Sequence, residues 1–203
     1  MTPIILASAS PRRRELLIAM GILHEVAPST VDESLIAADH PRTFALRAAY
    51  AKAMDVARAS EEGRWVLAAD TVVTMNLILY GKPVDRDHAR QILRVLSGQR
   101  HDVITAVALT CAGSPTAYLR AETTRVTFRE LTEAEIDTYV ATGEPMDKAG
   151  AYGIQGAGGE LVSAIEGDYY NVVGLPCRVV AELLEEAALD LKTTLPPPPE
   201  RWR

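Results

Sequence analysis

The sequence predicts an α/β fold built on a mixed, twisted sheet flanked by helices, with α+β as the neighbouring class. Three observations predict it. Strand-like and helix-like segments mix along the whole chain instead of separating into blocks. The run Trp65 to Met75 is apolar and rich in β-formers, as a buried central strand requires. Val103 to Cys111 and Tyr118 to Phe128 are joined by Ala112-Gly113-Ser114-Pro115, the pattern of a hairpin or short loop, which makes part of the sheet antiparallel.

The elements follow in order. Met1 to Ala7 ends in a short apolar strand. Ser10-Pro11 opens a helix, since serine is a good N-cap and proline is favoured at the first helical position. Gly21 closes it, and Ile22 to Val26 is a second strand. Asp39 to about Ser60 is a long helix with Leu46, Ala49, Tyr50, Ala53 and Ala57 on one stripe. After the central strand, Asp85 caps a helix through Leu96. Thr132-Glu133-Ala134-Glu135 is a capping box for a helix ending near Gly143. Gly150 to Gly159 holds five glycines in ten residues and reads as a loop. Leu161 to Ile165 and Tyr169 to Val173 flank Glu166-Gly167-Asp168 and read as another hairpin. Pro176 starts a last helix to about Leu191. Residues 1–192 are expected to form one domain, and the proline-rich 193–203 a disordered tail.

Composition narrows the function. The chain has 203 residues, 48% of them hydrophobic, enough for a globular core. Its 21 Lys+Arg against 27 Asp+Glu give a net charge of −6. That argues against a general nucleic-acid binder, which needs a broad basic surface, but not against one basic pocket for a small anion. Cys111 and Cys177 form no CxxC and no zinc spacing, so a reducing cytoplasm is expected. No signal peptide or membrane-length apolar run is visible.

Three constellations carry chemistry. Ser8-Ala9-Ser10-Pro11-Arg12-Arg13-Arg14 puts three cations at the positive end of a helix dipole, where each is disfavoured by roughly 0.3–1 kcal/mol. A phosphate held by free N–H groups, serine hydroxyls and arginine forks would explain them; a solvated basic patch beside Glu15 is the plain alternative. Asp70 is a lone carboxylate inside an apolar strand, so it needs a partner, a metal or a cleft, unless it bonds nearby backbone at a strand end. Glu33 and Asp85 are the other candidate carboxylates. Lys82, fixed in the Gly81-Lys82-Pro83 turn, and Lys52, at the edge of the long helix's stripe, could reach a phosphate or face water. In the glycine loop, Gln155 offers a donor and an acceptor, as a base-edge reader needs, though the loop could equally be a plain connection.

Together these segments resemble the Maf family of nucleotide pyrophosphatases. The matching stretches are Leu6 to Arg13, Ala69 to Val73, Gly81 to Pro83, Leu96 to His101, Glu144 to Gly156 and Gly167 to Pro176. The resemblance implies an elongated, two-lobed Maf/Ham1-like fold with a central cleft. It also implies a homodimer, a divalent metal (Mg²⁺ or Mn²⁺) and hydrolysis of nucleoside triphosphates between the α and β phosphates. The family's proton acceptor falls on Asp70, its phosphate-binding residues on Ser8, Arg13, Lys52 and Lys82, and its acidic position near the second strand on Glu33. With Asp70, Glu33 would hold the metal. Three positions that separate the subgroups fall on Arg12, Thr71 and Gln155, and match the dTTP/UTP branch. Arg12 would repel a cationic 7-methylguanine, and the Gln155 amide matches the donor and acceptor edge of uracil or thymine. The alternatives are a nucleotide-binding regulator of septum formation and a pyrophosphatase for 7-methyl-GTP. Relatives often carry Asp-Gly in the turn after Val73. This chain has Met75-Asn76-Leu77, so a looser hairpin is expected there.

Overall fold

The computed structural model describes residues 2–189 and 193–202. The strands are β1 (Ile4–Leu6), β2 (His24–Val26), β3 (Trp65–Met75), β4 (Ile78–Tyr80), β5 (Arg100–Cys111), β6 (Ala117–Phe128) and β7 (Val162–Glu166). The helices are α1 (Pro11–Ala19), α2 (Pro41–Arg58), α3 (Arg86–Leu96), α4 (Glu133–Ala141), α5 (Tyr169–Val173) and α6 (Cys177–Glu186). They form one mixed sheet in the order β2-β1-β3-β5-β6-β7, with β4 paired to β3. β1 is parallel to both of its neighbours, and the remaining pairs are antiparallel.

β3 is buried on both faces, and its side chains alternate between two cores. Val66, Ala68 and Val72 join Ala45, Ala49, Ala53, Val56 and Ala57 of α2 on one face. Leu67, Ala69 and Val73 join Leu16 and Leu17 of α1, Leu93 and Leu96 of α3, Ile136 of α4 and Leu183 of α6 on the other. By the same two-residue period, Asp70 belongs to the α2 face and Thr71 to the opposite one. Asp70 is therefore not at a strand end. It lies in the middle of a ladder running from Trp65↔Cys111 to Thr74↔Asp102.

Several elements differ from the sequence reading, each for a local reason. Tyr169–Val173 is a short helix, not a strand. Its β-branched and aromatic residues suggest a strand, but the Asp168 carboxylate accepts from the Tyr170 N–H (2.7 Å) as an N-cap, and Gly174, at φ 119°, ends the turn. In α2 the inward stripe is alanine, while Tyr50 is 41% exposed and Leu46 only partly buried. The long helix starts after His40, whose ring nitrogen accepts from the Arg42 N–H. The last helix ends at Glu186, short of the expected limit; Leu191 lies outside the described residues. The β3–β4 turn closes as a two-residue hairpin, Met75↔Ile78, with Asn76 and Leu77 at φ 53° and 66°.

The segment 193–202, expected as a disordered tail, makes defined contacts. The Thr194 N–H donates to the Met20 carbonyl (3.1 Å), and the Tyr170 hydroxyl to the Pro197 carbonyl (2.6 Å). Arg201 pairs with Glu160 (2.6 Å), and Trp202 packs against the larger core. Among the described residues no helix is long and apolar enough to cross a membrane.

Candidate active site

A cleft of about 690 Å³ opens where β1 ends and α1 begins. It is lined by Ser8, Arg12, Arg13, Glu33, Lys52, Asp70, Thr71, Lys82 and Gln155, so every residue on which the resemblance places a site role meets there. Asp85 is not among its lining residues; its carboxylate caps α3, accepting from the His88 N–H at 2.7 Å.

The start of α1 lacks a side-chain cap and faces the cleft. Ser10 sits at the N-cap, but its side chain makes no capping bond and the first turn holds no acidic residue. Its N–H instead donates to Ser8 Oγ (3.2 Å), which also accepts from Arg13 Nη1 (3.1 Å). With two bonds accepted, the Ser8 hydroxyl still has a proton to donate. Arg13 also donates from Nε to the Gly174 carbonyl (2.8 Å) and from Nη2 to Thr71 Oγ1 (3.1 Å). Burial lowers its pKa from the usual arginine value, against the pull of the Asp70 charge. Arginine remains charged at any physiological pH.

Across the cleft, Lys52 Nζ lies 2.6 Å from Asp70 Oδ1 and 2.6 Å from Glu33 Oε1. Lys52 stands on α2 and Asp70 on the strand face packed against that helix, so the two-residue period of β3 makes the pair. Asp70 Oδ2 is buried and has no hydrogen-bond partner among the described residues. Burial works to raise the Glu33 pKa, but the hydrogen bond and charge of Lys52, with Lys82 and Arg13 beyond it, hold it below the usual carboxylate value. No group of three or more His, Cys, Asp or Glu residues suited to a metal occurs among the described residues.

The sequence matches the Maf-like protein family over residues 3–187. It is 49% identical over 176 residues to a dTTP/UTP pyrophosphatase of Halalkalibacterium halodurans, covering 87% of this chain and 91% of that one. It is 47% identical over 193 residues to a dTTP/UTP pyrophosphatase of Anaeromyxobacter dehalogenans, covering 93% and 95%. The chain belongs to the Maf family. Its fold is similar to that of a HAM1 protein from Coxiella burnetii, with a TM-score of 0.53 at 16% identity, covering 92% of this chain and all of that one.

This Maf chain also holds cleft residues that sequence reasoning passed over. Glu144 lines the cleft and accepts from Tyr139 OH (2.9 Å), the Ala157 N–H (3.0 Å) and the Gly158 N–H (3.2 Å). The glycine loop that carries Gln155 wraps this carboxylate closely: a Cβ on Gly156 would lie 2.4 Å from Glu144 Oε2. Gly156 is therefore needed for close approach to the protein's own side chain, a use the sequence reading did not weigh. Asp147 pairs with Arg12 (3.7 Å) and with Lys148 (2.7 Å). The signal available in sequence was the cluster Glu144, Asp147 and Lys148 directly before the glycine loop. The lining as a whole carries five cations (Arg12, Arg13, Lys52, Lys82, Lys148) and four carboxylates (Glu33, Asp70, Glu144, Asp147).

Proposed function

We propose that this protein hydrolyses nucleoside triphosphates of the dTTP and UTP type to the monophosphate and pyrophosphate. The observation that carries the reading is the cluster of buried Asp70 with Lys52 and Glu33, facing the arginine-bearing helix start across one cleft. Relatives of 47% and 49% identity that bear the name dTTP/UTP pyrophosphatase supply the substrate class.

In this reading the triphosphate lies along the start of α1. The Ser8 hydroxyl, the free N–H groups of the first turn, Arg12 and Arg13 bind its oxygens. Lys52 and Lys82 complete the cage from the other wall. The Lys52 ammonium pairs with Asp70 inside a strand core, and Asp70 orients a water, or takes its proton, for in-line attack on the α-phosphorus. Pyrophosphate leaves into the field of the arginines.

The cleft fits a divalent cation. Asp70 Oδ2 is a buried carboxylate oxygen without a partner, and Glu33 offers a second hard oxygen donor beside it. Five cations against four carboxylates leave the lining one positive charge, too few for a ligand carrying about four negative ones. Mg²⁺ or Mn²⁺, when bound, would neutralise phosphate charge and acidify water. Two protein carboxylates suit such an ion, whose other ligands are phosphate oxygens and waters.

Gln155 and Arg12 select the base, the amide matching the donor and acceptor edge of uracil or thymine. The homodimer and the cytoplasmic setting belong to the same reading, and light scattering reads the first. The deciding experiment incubates the protein with each common nucleoside triphosphate and 7-methyl-GTP, with Mg²⁺ or Mn²⁺, and separates the products. Monophosphate and pyrophosphate from dTTP and UTP are expected. Turnover of 7-methyl-GTP instead would keep the reaction and overturn the roles of Arg12 and Gln155. No turnover by a folded protein that still binds UTP would replace the enzyme with a nucleotide-binding regulator.

A further inference from the structure

Thr71 lines the cleft, yet its hydroxyl is already engaged by the protein. Arg13 Nη2 donates to Thr71 Oγ1, and a guanidinium can only donate. Thr71 Oγ1 lies 2.9 Å from Thr105 Oγ1, its cross-strand partner on β5. Thr105 Oγ1 in turn lies 2.9 Å from the Asn171 carbonyl, which can only accept. The single proton of Thr105 therefore goes to Asn171, and the single proton of Thr71 goes to Thr105. The direction of the whole chain is fixed, from Arg13 inward, and Thr71 has no proton left for a nucleobase carbonyl.

The inner end is firmly anchored. Asn171 is fully buried, and its amide is satisfied on both sides: Oδ1 accepts from the Thr105 N–H (3.1 Å), and Nδ2 donates to the Val103 carbonyl (2.9 Å) and to Thr124 Oγ1 (3.0 Å). Thr105 and Thr124 are fully buried as well. The same short helix, α5, grips Arg13 twice: through this chain, and directly through the Gly174 carbonyl on Nε. Three N–H groups of Arg13 thus go to neutral acceptors, while two, one on each terminal nitrogen, have no hydrogen-bond partner among the described residues. A guanidinium held by neutral groups keeps its charge available to an anion.

We propose that Thr71, Thr105 and Asn171 form a one-way hydrogen-bond chain that aims Arg13 at phosphate, so that Thr71 and Thr105 are positioning residues of the anion site and not readers of the base. The proposal rests on the reading of the cleft as a triphosphate site. It assigns the threonine at the subgroup-distinguishing position to the geometry of Arg13.

The test is calorimetric titration of the full-length protein with inorganic pyrophosphate in Mg²⁺, beside kcat/KM for UTP and for CTP. Thr105→Val keeps the shape and removes the relay, and should weaken pyrophosphate binding about tenfold. Thr105→Ser keeps the hydroxyl and should restore binding to within about twofold. Thr71→Val should behave like Thr105→Val, and the double variant should bind about as well as Thr71→Val alone, because the two groups act in series. The UTP to CTP ratio should not move. Losses that multiply in the double variant would overturn the proposal. So would a changed UTP to CTP ratio with pyrophosphate binding intact, or wild-type protein that does not bind pyrophosphate. Should Thr105→Val unfold, Thr71→Val against Thr71→Ser decides the same question. Pyrophosphate binding that follows the pattern in a protein that turns over no nucleotide would sustain the chain and remove only the enzyme.

Discussion

Asp70 lies inside a strand core with Lys52 Nζ 2.6 Å from its carboxylate. Removing the charge while keeping the shape separates chemistry from folding. Asp70→Asn is expected to lower kcat by about 10²–10⁴, the range for losing a general base, while thermal unfolding stays near that of the wild type. Lys52→Met should do the reverse in stability. It leaves a buried carboxylate with no ammonium and should cost about 3–5 kcal/mol in denaturant unfolding. His101 makes a pH prediction. It is buried edge-on to the Phe128 and Tyr152 rings, with Nε2 2.9 Å from Tyr152 OH, and burial lowers its pKa to about 4. Below its ordinary value near 6.5 the unfolded chain takes up a proton that the folded one refuses. The stability this histidine allows is therefore complete above pH 6.5 and drains away as the pH falls toward 4. At pH 5 the loss is about 2 kcal/mol. The fall in unfolding free energy from pH 7 to pH 5 should be smaller by that amount in His101→Gln.

Among the elements, the β3–β4 hairpin has the least suitable residues for its shape. Its two turn positions both need positive φ, which asparagine tolerates and leucine does not. Leu77 is 65% exposed and makes up for none of this by burial. Leu77→Gly is expected to raise stability by about 0.5–1 kcal/mol in urea unfolding, through relief of that strain. The sequence revealed those elements whose signals are local. β3 has an apolar run, α3 has Asp85, and α4 has its capping box, with Glu135 Oε2 on the Thr132 N–H at 2.8 Å. α5 escaped because four of its five residues are β-branched or aromatic and so read as a strand, and beside its local Asp168 cap its Asn171 is fixed by Thr105 and Thr124, far away in sequence. The site divides in the same way. Residues tied to a motif, from Ser8 to Gln155, were visible. The roles of Asn171 and Thr105 were not, because each acts through partners on β5, β6 and α5 that only the fold brings together.

At the scale of the molecule, the family match ends at residue 187, while contacts extend to Trp202. Ending the chain after residue 192 removes the Arg201–Glu160 pair and the packing of Trp202, and should lower stability by about 1–2 kcal/mol by differential scanning fluorimetry, with UTP turnover retained. A larger consequence comes from the alternation along β3. Asp70 and Thr71 are neighbours in the chain but serve opposite faces, one meeting Lys52 and the other Arg13. A slip of one residue in the ladder would exchange them, placing a hydroxyl beside Lys52 and a carboxylate against the arginine. No misregistered species can then keep partial function. Regained activity during refolding should appear with the finished ladder and not before it, so that an enzymatic assay counts correctly paired molecules, whereas circular dichroism also counts those trapped in the wrong register.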